Sequence, residues 1–355
     1  MSCYTCDIVS RIVPGTRATI FFSTMFDYFA VEVAAVLESY GLDVRRETPF
    51  FSVVTDDVGD ILRRLYDEER FRPSERNTIS LVVLGEEDAI EDTTKQCMRP
   101  LAQWYRLVGA TDLAEIIEKR AIRVLFQPII RLKERSVFGY ECLSRGVSRD
   151  GTILSPDPLY ARAAEHSLLF NLDRLMRENA LIEAHRRVAA GHVCVNFMPK
   201  AIYDPESCLH TTMKTVEATA LDPARIVFEI VEATALEDME LFERIVSFCR
   251  SRGLKVALDD VADTSPQLPA MARLRPDILK LDERLIRDID RDAEKQARFE
   301  TLRDLARDNE IALLAEGVET ASEMTFLTEH GVDLVQGFYF SEPQEEARYD
   351  VPAGR

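Results

Sequence analysis

The chain has 355 residues, 46% of them apolar and 30% charged, with a formal net charge of −18. That composition fits a well-cored globular protein with room for two domains, one of them a barrel of roughly 220–250 residues. No apolar run approaches the ~18 residues of a membrane span, and the N-terminus lacks a basic-then-apolar leader, so a cytoplasmic protein is expected. The acidic surface disfavours a broad grip on nucleic-acid polymers. A small anionic ligand stays open, because bound divalent cations can invert the local field.

The first 85 residues read as a ferredoxin-like β-α-β-β-α-β domain. "ATIFFS" (18–23) is a buried strand, and "FAVEVAAVLESYG" (29–41) has helical spacing and ends on glycine. "LDVRRE" and "FFSVVT" read as strands, "DVGDILRRLYDEE" as a helix with Asp57 near its start, and "TISLVVLG" as a strand. Residues 86–119 read as a helical linker, interrupted at Pro100 and Gly109. Seven cysteines in a reducing compartment read as free thiols, and Cys3 and Cys6 form a lone CxxC with no second ligand pair, most simply a reduced tail.

From residue 120 to 355 the rhythm is that of an α/β barrel. Eight apolar runs alternate with helical stretches: "IRVLFQPII", "SVFGYECL", "HVCVNFMP", "RIVFEIVE", "LKVALDD", "DILKLD", "IALLAEGVE" and "DLVQGFYF". Continuous apolar runs suit strands covered on both faces, and eight of them suggest a TIM-like (β/α)8 fold. Polar residues fall at the ends of these runs: Glu141, Asn196, Glu229, Asp259 with Asp260, Lys280, Glu316 with Glu319, and Gln336. In such barrels the active site sits at that face, assembled from several strands. Crowded carboxylates repel unless cations neutralise them. Asp, Glu and an Asn oxygen form a hard donor set suited to Mg2+ or Mn2+, which polarise phosphoryl oxygens and activate water. The residues alone therefore point to metal-assisted hydrolysis of a phosphate ester, with a barrel that merely has an acidic mouth as the alternative.

"FQPIIRL…FGYECLSRG", "VNFMP", "FEIVEATAL", "LDD", "DILKLD", "AEGVE" and "QGFYFSEP", in order between residues 120 and 343, resemble the consecutive motifs of the EAL domain family of cyclic di-GMP phosphodiesterases. The name motif is Glu141-Cys142-Leu143 here, and its central residue is not a ligand. The resemblance implies two divalent cations, the first on Glu141, Asn196, Glu229 and Asp259, with Asp260 associated with the second and Glu316 also at the metals. It implies a lysine, Lys280, near the attacking water, and an arginine, Arg145, on a ligand phosphate. Gln127, Pro128, Leu143, Glu319 and Gln336 match substrate-contacting or supporting positions, and Asp173 matches a helix aspartate, for which a solvated or capping role is the alternative.

After the paired aspartates the family has Phe-Gly-Thr-Gly, whereas this chain has Val261-Ala262-Asp263-Thr264-Ser265-Pro266, which lacks glycine and is stiffened by proline. The glutamate that steadies this loop in the family is matched by Glu232. Met198 stands where the family often has a small polar residue. Two functions stay open on these residues: hydrolysis of cyclic di-GMP to linear pGpG, or a receptor or interaction module whose stiff loop misplaces Asp260. A homodimer and a regulatory N-terminal domain are further implications of the resemblance.

Overall fold

The computed structural model describes residues 17–47, 49–85, 98–108, 111–231, 238–262 and 272–349. They form two compact units, one within Met1–Ala121 and Gly146–Leu172, the other within Ile122–Arg145 and Asp173–Arg355.

The first unit is built on strands β1 (Ala18–Thr24), β2 (Arg45–Glu47), β3 (Phe50–Thr55), β4 (Ile79–Gly85) and β5 (Arg99–Pro100). Their order is β2-β3-β1-β4-β5 and every pairing is antiparallel. Helix α1 (Asp27–Ser39) follows β1 and buries Phe29, Val33, Ala34, Val36 and Leu37. Helix α2 (Val58–Tyr66) follows β3, and its N-cap is Asp57, whose Oδ1 accepts from the Asp60 N–H at 2.8 Å. The first four strands and two helices thus have the expected ferredoxin-like order. Sequence reading missed the short helix α3 (Pro73–Arg76) and strand β5. β5 leads into α4 (Leu101–Val108), where Trp104 is fully buried and its indole N–H donates to the Leu81 carbonyl at 3.0 Å. The region expected to be a linker therefore contributes to this unit's sheet and core. Helix α5 (Thr111–Glu118) follows. Strand β8 (Ile153–Leu154) and helix α6 (Pro156–Glu165) complete the unit, with Arg162 gripping Asp112 at 2.5 and 2.6 Å.

The second unit carries all eight expected strands: β6 (Ile122–Arg131), β7 (Ser136–Val147), β9 (His192–Phe197), β10 (Ile226–Val231), β11 (Lys255–Val261), β12 (Ile278–Leu281), β13 (Ala312–Ala315) and β14 (Leu334–Val335). They are hydrogen-bonded in the order β6-β14-β13-β12-β11-β10-β9-β7, and the β6–β7 pairing closes the barrel. The fold differs from a regular (β/α)8 barrel in one strand. β6 runs antiparallel to β14, while β7 is parallel to β9. The cause is the link between β6 and β7, a turn over residues 132–135, which is too short for the crossover that parallel strands need. Helix α7 (Leu169–Arg187) stands between β7 and β9 in sequence. After β9 come α8 (Pro205–Cys208) and α9 (His210–Thr219), then α10 (Met239–Ser251) after β10. Helices α11 (Glu283–Ile286) and α12 (Ala293–Asp308) follow β12, and α13 (Ala321–Glu329) follows β13.

One apolar cluster takes a residue from every barrel strand: Ile129, Phe138, Cys194, Val227, Ala257, Ile278, Leu314 and Leu334. Side chains two apart on a strand share a face. Two positions beyond six of these residues stand Asn196, Glu229, Asp259, Lys280, Glu316 and Gln336. On the reversed β6, Gln127 lies two positions before Ile129. The barrel is thus plugged by apolar side chains and carries a polar layer directly above them.

Candidate active site

Lys280 lies at the centre of that polar layer and is 1% exposed. Its Nζ is 3.0 Å from Glu229 Oε1, 2.9 Å from Asp259 Oδ1 and 2.9 Å from Glu316 Oε1. Burial alone would push the ammonium's pKa down, but the charges of Asp259, Glu141, Glu229 and Glu316 together hold it well above the usual lysine value. Burial lifts the Glu229 and Glu316 carboxyls well above the usual range, against the pull of Lys280 and with the help of the neighbouring acids. Asp260 is raised as well, first by burial and then by Asp259.

Glu141 is held between two amides. Asn196 Nδ2 donates to its Oε1 at 3.2 Å, and Gln336 Nε2 donates to its Oε2 at 2.6 Å and to Gln127 Oε1 at 3.0 Å. These bonds fix a carboxylate on β7 from β9 and from the residue after β14, whose amide is held in turn by Gln127 of the reversed β6. Next to it, Cys142 is buried and its thiol is pushed well up by burial, so it stays protonated and takes no part.

Asp259 and Asp260 are neighbours on one strand, so in regular pleating their side chains would face opposite ways. The strand is not regular there. Leu258 pairs with Leu279 and Val261 with Leu281, so two aspartates oppose the single Lys280 in a β-bulge. Asp260 adopts a left-handed φ of 60°, which aspartate tolerates better than most residues, and its N–H donates to Asp259 Oδ1 at 3.0 Å. The bulge turns both carboxylates to one side, where oxygens of Asp259, Asp260 and Glu316 come within 4.8 Å of one another.

The layer opens into a cleft of about 260 Å³ lined by Gln127, Glu141, Asp260, Glu316, Glu319 and Gln336, together with Glu283, Gly317, Gly337 and Phe338. Gly317 has φ +65°, and a Cβ there would fall 2.4 Å from that of Glu283, so only glycine fits. Glu323, 1% exposed, ties the rim together by accepting from the N–H groups of Asp288, Glu319 and Thr320, each at 3.0 Å.

The donor set suits a hard divalent cation. It is all oxygen, it carries more negative charge than Lys280 balances, and apart from Lys280 neither buried oxygen of Glu229 has a hydrogen-bond partner among the described residues.

Of the residues singled out from sequence, Glu141, Asn196, Glu229, Asp259, Asp260, Lys280, Glu316, Gln127 and Gln336 meet in this layer. Glu319 lies on the cleft wall in a two-toothed ion pair with Arg287. Arg145, Leu143 and Pro128 are not among the lining residues. Pro128 is buried beside Gln127, Leu143 is half-buried, and Arg145 Nη1 donates to the Ser144 carbonyl at 2.9 Å. Asp173 is neither solvated nor a cap. It is fully buried in an ion pair with Arg177 and accepts from the Met198 N–H at 3.0 Å. Glu232 and residues 263–266 lie outside the described residues. Sequence reading missed Glu283, Glu323, Phe338 and Arg177. Glu283 had a signal, since it follows the strand-end run "DILKLD"; the others sit on helices or in a loop where nothing in the local pattern marks them.

The family model described as "EAL domain" matches residues 110–343. Among curated relatives, the probable cyclic di-GMP phosphodiesterase PdeD of Escherichia coli is 26% identical over 245 residues, 68% of this chain and 45% of that protein. The cyclic di-GMP phosphodiesterase PdeR of the same organism is 27% identical over 248 residues, 68% of this chain and 36% of its own length. The chain thus spans less than half the length of these two relatives. Among solved structures, the c-di-GMP bound form of a standalone versatile EAL protein from Vibrio cholerae is 32% identical, with a TM-score of 0.57 over 63% of this chain and 93% of that one. BlrP1 of Klebsiella pneumoniae, in a calcium/cy-diGMP complex, is 20% identical and shares the fold over 92% of this chain and 96% of its own, with a TM-score of 0.58. The family model covers the barrel from its first strand to its last and takes in every residue of the polar layer, so this chain belongs to the EAL domain family.

Proposed function

We propose that the barrel hydrolyses cyclic di-GMP to linear pGpG in the cytoplasm with two divalent cations, Mg2+ or Mn2+. The observation that carries this reading is the bulge that aims Asp259 and Asp260 together at Glu316. It supports a catalytic Asp260 despite the glycine-free stretch that follows. The names of the phosphodiesterase relatives support the same substrate.

Divalent cations at this site would polarise the scissile phosphoryl group and lower the pKa of a water. Glu141, Asn196, Glu229 and Asp259 would hold the first, Asp260 the second, and Glu316 lies where it can serve both. Lys280 keeps its proton under the charge of its neighbours, so it donates hydrogen bonds and orients the attacking water rather than acting as a base. Water attacks phosphorus in line, the P–O3′ bond breaks, and the proton released by the water balances the one taken up by the leaving O3′ oxygen, which becomes the 3′-hydroxyl. Arg145 would grip a phosphate after swinging off the Ser144 carbonyl, and Gln127, Pro128, Leu143, Glu319 and Gln336 would shape the substrate site. Glu232 would steady the loop after Asp260. The N-terminal unit would regulate the rate, within a homodimer.

Incubation of the purified protein with cyclic di-GMP and Mg2+ or Mn2+, with pGpG followed by chromatography, tests the reading. Metal-dependent pGpG that vanishes in Glu141→Ala is expected. Saturable binding of the intact dinucleotide with no product would instead make this a receptor, the second reading that the stretch 261–266 favours.

A further inference from the structure

Among the proposed ligands of the first cation only Asn196 is uncharged, so it must hold a cation more by orientation than by charge. Its Nδ2 donates to Glu141 Oε1 at 3.2 Å, which leaves Oδ1 as the atom that could meet a cation. How that amide is aimed depends on the backbone on either side of it. Before it, β9 is laddered to β7 as far as Val195. On the other edge, Asn196 stands opposite Glu229 and Phe197 opposite Ile230, and the register with β10 ends there.

Beyond Phe197 the chain leaves the sheet, and two contacts from α7 hold it. Met198, extended at φ −100° and ψ 100°, donates its N–H to Asp173 Oδ1 at 3.0 Å before the turn over Pro199–Ala201 begins. The Phe197 ring lies 5.1 Å from the Arg177 guanidinium and stacks on Phe228 at 5.4 Å. Asp173 is itself locked. Its other oxygen, Oδ2, accepts from Arg177 Nη1, and Arg177 Nε donates to the Thr212 hydroxyl at 3.0 Å. Both charged side chains are fully buried.

A buried ion pair is a weak source of stability, because desolvation offsets the attraction. This pair does something that two apolar side chains of the same size could not. It offers a fixed acceptor to the backbone two residues past Asn196. Groups that hold a metal ligand from behind typically change metal affinity by roughly 10–100-fold when they are lost. We infer that Asp173 is a positioning residue for the cation site, locked by Arg177 and acting on Asn196 through the Met198 amide; the inference rests on the reading of the polar layer as a divalent-cation site.

The test compares two double variants of the full chain, both free of the buried charges. Asp173→Asn with Arg177→Met keeps an oxygen that can accept from the Met198 N–H, and Asp173→Leu with Arg177→Met does not. Mn2+ affinity is measured by calorimetry without substrate, beside thermal melts. The pair without the acceptor should bind Mn2+ about tenfold more weakly than the wild type, and the pair that keeps it within about threefold. With Asn196→Ala already in place, Asp173→Leu with Arg177→Met should add less than about twofold, since the side chain being positioned is gone. Equal Mn2+ affinity in the two double variants would overturn the positioning role and leave the cation reading intact. If the pair without the acceptor does not fold, Arg177→Lys takes its place: it keeps the charge, gives up the Thr212 bond and should weaken Mn2+ about threefold. No change there overturns the role as well. Failure of the wild type to bind Mn2+ would overturn both the role and the cation reading.

Discussion

Two clusters of buried charge lie within the barrel unit and are built differently. Asp173 and Arg177 pair one to one, both fully buried. The pair is further satisfied by the Met198 N–H on Asp173, the Thr212 hydroxyl on Arg177 Nε at 3.0 Å, and the Phe197 ring 5.1 Å beneath the guanidinium. Lys280, by contrast, faces three carboxylates at once, with Glu141 and Asp260 close by. The first cluster is balanced and holds the segment that follows Asn196. The second has a surplus of buried carboxyl groups over its one cation. A balanced pair fastens the protein, and an unbalanced one suits the cations proposed for the site.

The sharpest way to break that comparison is to remove one cation from each. Lys280→Met and Arg177→Met should each destabilise the metal-free protein by about 3–5 kcal/mol, because each leaves buried carboxylate uncompensated. Thermal melts with and without Mn2+ separate the two, since Mn2+ should recover much of the loss in Lys280→Met and none in Arg177→Met. Equal recovery in both variants would contradict the distinction.

Metal should also stabilise the wild type, by roughly 2.7 kcal/mol at a hundredfold excess over Kd. The gain should depend on pH. In the metal-free fold Glu229 and Glu316 hold protons above the ordinary carboxyl range. The folded state therefore binds more protons than the unfolded one there, and stability falls as pH rises from about 4.3 toward the raised values. Cations that favour the charged forms remove that penalty. The Mn2+-induced rise in melting temperature should accordingly grow between pH 5 and pH 8, and a gain that shrinks over that range would refute the assignment.

Gly317→Ala forces a left-handed residue against Glu283 and should cost about 1–3 kcal/mol in a denaturant melt, with a weaker KM. The smallest effect is expected from the loop. Ala262→Gly with Thr264→Gly should raise the rate by less than about tenfold, because the bulge already aims Asp260, and misplacement on the order of 1 Å is what costs 100-fold. An unchanged rate would show that the missing glycines are no handicap.

Much of this was legible in the residues. The apolar runs fall on all eight barrel strands, because a strand buried on both faces must be apolar throughout, and the polar residues at their ends do share one mouth. Asp57 near the start of its helix and the β-α-β-β-α-β order were legible for the same local reason: helix-start signals and periodicity act within a few residues. What lay beyond reach depends on neighbours far apart in sequence. The reversal of β6 follows from a short turn, but closure required β14, some two hundred residues on. Asp173 matched a helix aspartate of the family, but its burial against Arg177 and the Met198 amide depends on residues the local pattern does not link to it.

Residue type and order suffice for the family, the barrel and the set of oxygen donors. How those donors are aimed depends on the folded barrel. Regular pleating would send Asp259 and Asp260 to opposite faces, and it takes an extra residue of β11 set against Lys280 of β12 to turn both carboxylates into the same mouth.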